Sequence, residues 1–465
     1  MSKNVFVGVD GKARKAKEFY VGVNGKAHRI VKAYIGDENG KARPFWEKET
    51  TPITDSLEFV SDNSFTMSAT KLWDGTIEYN NGNGWTTWNG SQISSNAIDG
   101  RQRIYFRGSR NTVIRGQNAT ETNSWKITGS NIECNGNIEY LLDYQKVAAG
   151  QHPEMGTYCY RFMFNSCSSL TTAPELPAIT LANSCYQNMF RNCSSLTTAP
   201  ELPATTLAEN CYNGMFWACS KLTTAPELPA TTLAEFCYYM MFRNCSSLTT
   251  APQLPATTLV DYCYYNMFSG CSSLTTAPAL PATTLAPYCY YNMFFGCSSL
   301  TTAPQLPATT LAENCYQYMF GNCSLLTEAP SLPATTLAVG CYREMFYGCE
   351  KLIIAPALPA TTLAKNCYYY MFYGCFRLRK IPALPAHILP DYCYYGMFKE
   401  CDIHLYSSGD ETKNVIYLLP SEKNQWTNTK KESNSLTNMF TYDGLIQTPR
   451  FPAGYRLDNY YSIIS

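Results

Sequence analysis

In a chain of 465 residues, 36 Lys and Arg are balanced by 36 Asp and Glu, so no whole-chain field exists to draw nucleic acid or an anionic membrane. Charged residues make up 15% and aromatics 14%, with 35 tyrosines, a balance that argues against a highly charged disordered chain and for a surface that binds through local contacts. No run of about 18 apolar residues occurs, which argues against insertion of a helix into a membrane.

Residues 5 to 46 carry a small repeat: Val7-Gly-Val-Asp-Gly-Lys-Ala-Arg, then Val21-Gly-Val-Asn-Gly-Lys-Ala-His, then Ile35-Gly-Asp-Glu-Asn-Gly-Lys-Ala-Arg. Asp10-Gly11, Asn24-Gly25 and Asn39-Gly40 predict three type I′ hairpins, because both central residues of that turn need positive φ. A lone hairpin is marginal, so residues 1–48 read as an attachment module that needs a partner or copies of itself. Its 11 Lys and Arg against 6 Asp and Glu in the first 50 residues suit protection of exposed strand edges better than a nucleic-acid site.

Thr50-Thr-Pro-Ile-Thr reads as a linker. Residues 49–135 then predict an all-β, sandwich-like domain from the period-two patterning of Leu57-Glu-Phe, Phe65-Thr-Met, Thr76-Ile-Glu-Tyr, Arg103-Ile-Tyr-Phe-Arg and Trp125-Lys-Ile-Thr. Trp73, Trp85, Trp88, Tyr79 and Tyr105 are read as its core in preference to a sugar-binding platform. Residues 136–158, with Ile138-Glu-Tyr-Leu-Leu-Asp, predict a short helix that caps the next segment of the chain.

From Cys159 to Cys401 one 26-residue unit recurs, with first cysteines at Cys159, Cys185, Cys211 and onward to Cys393, and a second column eight residues later, Cys167 to Cys401. The unit reads C-Y-x-x-M-F-x-x-C-S-S-L-T-T-A-P-x-L-P-A-T-T-L-A-x-x, and a fixed period of this size signals a solenoid. Leu-Thr-Thr suits a short strand stopped by the prolines, and Cys-Tyr-x-x-Met-Phe has the spacing of a short helix or helical turn. The fold expected is thus a mixed α/β repeat solenoid of about ten coils, preceded by an all-β domain and N-terminal hairpins. After Cys401 the pattern decays through Ile403-His-Leu-Tyr and Ile416-Tyr-Leu-Leu-Pro, and Thr437-Asn-Met-Phe resembles a last unit, so residues 402–465 read as the C-terminal cap.

Twenty of the 21 cysteines are repeat positions. Eight residues apart on a helix is about 12 Å, too far for a disulfide within one unit. Equivalent cysteines in neighbouring coils would stand about 5 Å apart, which distance alone permits to bond. Metal binding would want convergent pairs such as C-x-x-C, absent here, while His28, His152, His387 and His404 are scattered. Reduced, buried thiols and no cofactor or metal are expected.

The stretch Pro200-Glu-Leu-Pro-Ala-Thr-Thr-Leu, repeated throughout, resembles the BspA-type bacterial leucine-rich repeat over about half the chain. That resemblance implies a solenoid with a strand sheet along one face, and a family of adhesion and host-interaction proteins of gut bacteria and their viruses. The hairpin unit Val21 to Ala27 is similar to N-terminal modules of phage and prophage tail-region proteins. Together with a start that lacks a signal peptide, these resemblances imply a virion tail component for receptor binding, with a structural spacer or assembly protein of a virion, or a bacterial cell-surface adhesin, as alternatives. The partners implied are a bacterial surface glycan or protein, other tail proteins through residues 1–50, and a second copy of the chain.

Comparing the units within the chain separates constant positions, which build the stack, from variable ones. The variable positions supply the candidate binding residues: Trp217, Tyr239, Tyr265, Tyr291, Tyr318, Arg343, Tyr369, Tyr370, Tyr373 and Tyr395. Tyr, Trp and Arg are the types enriched at binding hot spots, and rings turned to solvent suit sugar faces. The competing reading is that these rings pack along the stack and shield it. Neither a nucleophile with its base, nor a phosphate loop, nor a carboxylate pair stands out, so no enzyme activity is expected.

Overall fold

A computed structural model describes residues 53–378, 382–386, 388–401, 434, 435, 437 and 439, and the backbone of strands between Phe6 and Glu47 and of two short strands near the C-terminus. Residues Met1–Thr54 form one unit and Asp55–Ser465 another. In the first, β1 (Phe6–Val9) pairs antiparallel with β2 (Lys12–Lys15), β3 (Phe19–Val23) with β4 (Lys26–Ile30), and β5 (Lys32–Gly36) with β6 (Ala42–Glu47). The closing pairs Val9↔Lys12 and Val23↔Lys26 leave two residues for each turn, the length that a type I′ connection needs. The turn dipeptides themselves lie outside the described residues.

The second unit opens with β7 (Leu57–Ser61), β8 (Thr66–Ser68), β9 (Thr76–Asn80), β10 (Thr86–Thr87), β11 (Ile93–Ser94), β12 (Asn96–Ile98), β13 (Arg101–Ser109), β14 (Lys126–Thr128), β15 (Ile132–Asn135), helix α1 (Tyr140–Ala148) and β16 (Leu170–Thr172). One sheet runs β10-β9-β13-β7-β15-β16 with β12 on β13, and a smaller one runs β11-β8-β14. Trp73 stacks on Trp88 at 5.4 Å, and Trp88 meets Phe106 and Trp125 at 5.0 Å. Trp73, Trp88 and Tyr105 are buried, as the core reading expects, whereas Trp85 and Tyr79 are half-buried. The Arg107 guanidinium sits between the rings of Trp85 and Tyr144, at 4.1 and 4.2 Å, so that side of Trp85 is filled by the protein itself.

All strand pairs in these two sheets are antiparallel except β15 with β16, where Ile132 lies beside Leu170. That exception shows how the β-rich segment passes into the repeats. Ile114 donates to the Cys159 carbonyl, Trp125 to Met163, Ile132 to Ser169 and Ile138 to Glu175, so residues 114–138 serve the first repeat as a preceding coil. Helix α1 covers the same end. It is interrupted at Asp143, whose φ of −155° is extended and whose carboxylate accepts from the amides of Gln145 and Lys146, restarting the helix as an N-cap does. Leu141 and Leu142 are buried, and the Leu141 carbonyl comes so near Gly108 that a Cβ there would stand 1.7 Å from it.

The Cys-Tyr-x-x-Met-Phe segment is not a helical turn. Alternate amides bond within the coil to the residue three back, as Tyr265 to Tyr262, Met267 to Tyr264 and Cys271 to Phe268. The intervening amides bond to the next coil, as Tyr264 to Cys289, Asn266 to Tyr291, Phe268 to Met293 and Gly270 to Phe295. A helix would direct every amide along its own axis; here half of them hold the stack together. Every fourth residue has positive φ, for example Tyr262 (56°), Asn266 (54°) and Gly270 (77°), which explains the Asn and Gly frequent at these places. The helical component expected within the repeat is therefore replaced by consecutive turns. The strand component is also slighter than expected: after β16, isolated parallel bridges carry one ladder from Thr172 through Thr198, Thr224, Thr250, Thr276 and Thr302 to Glu328 and Ile354, and a second, interrupted series joins Thr206 to Thr232, Thr258 to Thr284 and Thr310, and Thr336 to Thr362.

Identical side chains stack in columns. The leucines Leu170 to Leu378 are fully buried, each contributing about 1.5–3 kcal/mol. Constant tyrosines Tyr160 to Tyr394 stack ring on ring at 5.5–5.9 Å. The phenylalanines Phe164 to Phe398 do so at 5.5–5.8 Å. All 21 cysteines are free and buried. In the second column each thiol donates to the phenylalanine carbonyl of the coil before, as Cys193 to Phe164 at 3.0 Å and Cys271 to Phe242 at 3.1 Å, and Cys167 finds its acceptor in Trp125. At the far end Tyr394, Gly396 and Phe398 donate to Ser435, Thr437 and Met439, so the remnant Met-Phe unit does stack on the last full coil. Beyond a short antiparallel pair of strands, Arg456–Leu457 with Ile463–Ile464, the rest of the expected C-terminal cap, residues 402–433 included, lies outside the described residues.

Candidate recognition surface

The turn segment orients its variable side chains outward in three columns, because the constant Tyr, Met and Phe take the inward positions. All ten candidate residues are half-buried. They fall into three groups. Trp217 lies between Arg191 and Arg243, whose guanidinium carbons stand 3.9 and 5.2 Å from its ring centre.

Tyr239, Tyr265 and Tyr291 form a ladder with centroids 4.8 and 4.5 Å apart and nearly parallel planes. Beside it Phe236, Tyr262 and Tyr288 form a second ladder at 4.7 and 4.8 Å. Ring faces here are covered by neighbouring rings, so what meets solvent is edges and hydroxyls, not the open faces that the residue types suggest. Burial raises the Tyr265 hydroxyl above the ordinary phenol value, and the adjoining Tyr291 and Tyr239 add to it.

Tyr318, Arg343, Tyr369, Tyr370 and Tyr373 converge on one open cavity of about 700 Å³. It exists because the columns break. Gln317 and Arg343 interrupt the ladder between Tyr291 and Tyr369, and Gly321 leaves no side chain between Phe295 and Tyr347. Tyr370 stands nearly perpendicular to Tyr369 (82°) and Tyr373 (87°), forming a corner in place of a ladder. It lies over Gly396, where a Cβ would stand 2.1 Å from its ring. Tyr395 stacks on Tyr369 at 5.1 Å and supports the corner from the next coil.

Two charged residues of this cavity are absent from the candidate set. Glu344 is 5% exposed, and burial pushes its carboxyl up to about 7 even though Arg343 Nε donates to its Oε1 at 3.1 Å. Lys399 holds its ammonium 5.6 Å from the Tyr373 ring centre and 6.0 Å from that of Tyr370. Burial, then the hydrogen bond to Glu400 at 2.8 Å, pushes Tyr373 up to about 12. The signal for these residues was in the sequence as breaks in column identity, which a search for aromatic and Arg positions passes over.

Burial pushes thiols such as Cys185 and Cys237 up to about 12, which leaves them protonated and unsuited to nucleophilic attack at neutral pH. Among the described residues, no group of three His, Cys, Asp or Glu is placed to hold a metal ion, and no helix is long and apolar enough to cross a membrane.

A family model described as BspA type leucine rich repeat region, present in six copies, matches residues 146–249, 209–353 and 313–415. Those ranges together span 146–415, more than half of the chain. No curated protein and no solved structure matches it.

Proposed function

The chain belongs to the family of BspA-type leucine-rich repeats, and we propose that it acts as a non-catalytic receptor-binding or adhesion protein of a phage tail. The solenoid recognises a bacterial surface glycan or protein, and residues 1–50 attach it to other tail proteins. The observation that carries this reading is the concentration of Tyr, Trp and Arg at outward, unit-specific positions of a stack whose inward positions barely vary.

The experiment is attachment of the purified chain to host cells, compared with a Tyr239→Ala, Tyr265→Ala, Tyr291→Ala variant that keeps the constant columns. Loss of attachment with an unchanged melting curve supports the reading; full attachment removes the tyrosine ladder from it. A spacer role has its own support, since the ladder rings cover one another. Deleting two whole units separates the two, because a spacer then shortens the particle while attachment persists. Cell-surface display in a bacterium is the alternative location, distinguished by labelling this chain on isolated virions.

A further inference from the structure

We infer that the cavity between Tyr291 and Tyr395 binds a pyranose ring that carries a carboxylate, as in a hexuronic acid or related acidic sugar of a polysaccharide. The inference rests on the reading of the solenoid as a recognition surface and specifies what part of it recognises.

The geometry carries it in three steps. At about 700 Å³ the cavity is of ordinary ligand-site size, roughly 300–1,000 Å³. Its walls differ from the neighbouring ladders, because the perpendicular setting of Tyr370 against Tyr369 and Tyr373 leaves a concave corner of ring surface. Such a corner accepts the C–H face of a sugar, whereas the stacked Tyr239 ladder offers edges alone.

The polar groups ask for hydroxyls. Asn292 lines the cavity and brings a side-chain amide to it. Asn322 and the tyrosine hydroxyls add further donors and acceptors.

The charge asks for an anion. Arg343 and Lys399 both line the cavity, against the single carboxylate of Glu344, which Arg343 already engages at 3.1 Å. Among the described residues no carboxylate pairs with the Lys399 ammonium, which rests near two tyrosine rings. An ammonium so placed is available to a ligand carboxylate at the cost of only a weak cation–π contact.

The test is saturation-transfer NMR and calorimetric titration of the full chain with sodium glucuronate and N-acetylneuraminate, alongside glucose and benzoate. Expected is binding of one of the two sugar acids, weakened at least tenfold in Lys399→Gln and in Tyr370→Ala, and restored by Lys399→Arg; melting curves report that each variant is folded. Equal binding of glucose, tighter binding of benzoate, or no binding of either sugar acid overturns the inference. Cell attachment measured on the same variants keeps the two readings apart. Sugar-acid binding with unchanged attachment of Lys399→Gln leaves the cavity assignment standing and refutes its role in recognition.

Discussion

Raising the pH above about 9 should unfold the second unit within a narrow interval, and the thiol columns set how narrow. Burial holds Cys185, Cys237 and Cys289 at about 12, against an ordinary value of 9.0, and pushes counterparts such as Cys211 and Cys263 in the same direction. Below about pH 8 the folded and unfolded chains both keep these protons, so the thiols leave stability independent of pH. Above it the unfolded chain releases protons that the folded one retains, and stability falls until the folded thiols themselves titrate near 12. At about pH 10 each thiol favours the unfolded chain by about 1.4 kcal/mol. Some twenty such groups amount to about 30 kcal/mol, against the roughly 5–15 kcal/mol that holds a typical domain. The buried tyrosines Tyr160 to Tyr394, raised chiefly by burial, add with the same sign at higher pH. The midpoint should therefore fall near pH 9, where each thiol already costs about 0.4 kcal/mol and twenty together about 8 kcal/mol. Circular dichroism and thiolate absorbance, followed together from about pH 7 to 11 in reductant, measure it, and the two signals should change together. Thiolate absorbance that rises near pH 9 while the dichroism stays native would refute the reasoning, since the columns would then ionise inside the folded stack.

Leu274→Ala, in the middle of the leucine column, should cost about 2–5 kcal/mol in a urea titration, because neighbouring coils cannot collapse into the gap without breaking their own register. Gly396→Ala puts a Cβ 2.1 Å from the Tyr370 ring at a φ of 57°, and should lower the melting temperature by several degrees while changing the near-ultraviolet dichroism of the tyrosine corner. Glu344→Gln should stabilise the protein by about 2–3 kcal/mol at pH 8 and by nothing at pH 4, because the native carboxyl, raised to about 7 by burial, must ionise at a cost that the unfolded chain does not bear. Equal melting shifts at both pH values would contradict that account.

The columns were legible in the sequence because each coil repeats the same local environment, so an apolar residue kept in coil after coil reports burial, although the constant Thr-Thr pairs, as at Thr223 and Thr224, stay exposed. That held for Leu274, Cys271 and Phe268, and for the exposed position between proline and leucine from Glu175 to Ala383. The conformation of Cys-Tyr-x-x-Met-Phe was not legible, since spacing at i, i+1, i+4 and i+5 fits a helix and a series of turns alike. What decides between them is where the amides bond, and Tyr264 bonds to a residue 25 positions away. The start of the stack was obscured for a related reason. Trp125 and Ile132 occupy the Phe and Leu places of a preceding coil without sharing the sequence of the unit. At the recognition surface the aromatic positions were readable, but their orientation was not, because a ring that stacks and one that stands free are spelled the same. The cavity lies where Gln317, Gly321 and Arg343 depart from their neighbours, so its outline is written in what those coils lack.

The turn column joins every coil to the next through the same set of amides and carbonyls, from Tyr160 to Cys185 at one end to Tyr368 to Cys393 at the other. Since these main-chain bonds are the same whichever units adjoin, loss or duplication of a whole unit leaves the backbone stack intact, and only contacts such as that of Tyr370 with Gly396 depend on which unit lies beside which. Removing the unit that begins at Cys315 would set Arg343 directly after Tyr291 and delete both Gln317 and Gly321, closing most of the gap in the columns. Copy number thus becomes a heritable means of opening, moving or erasing a binding site without a single substitution.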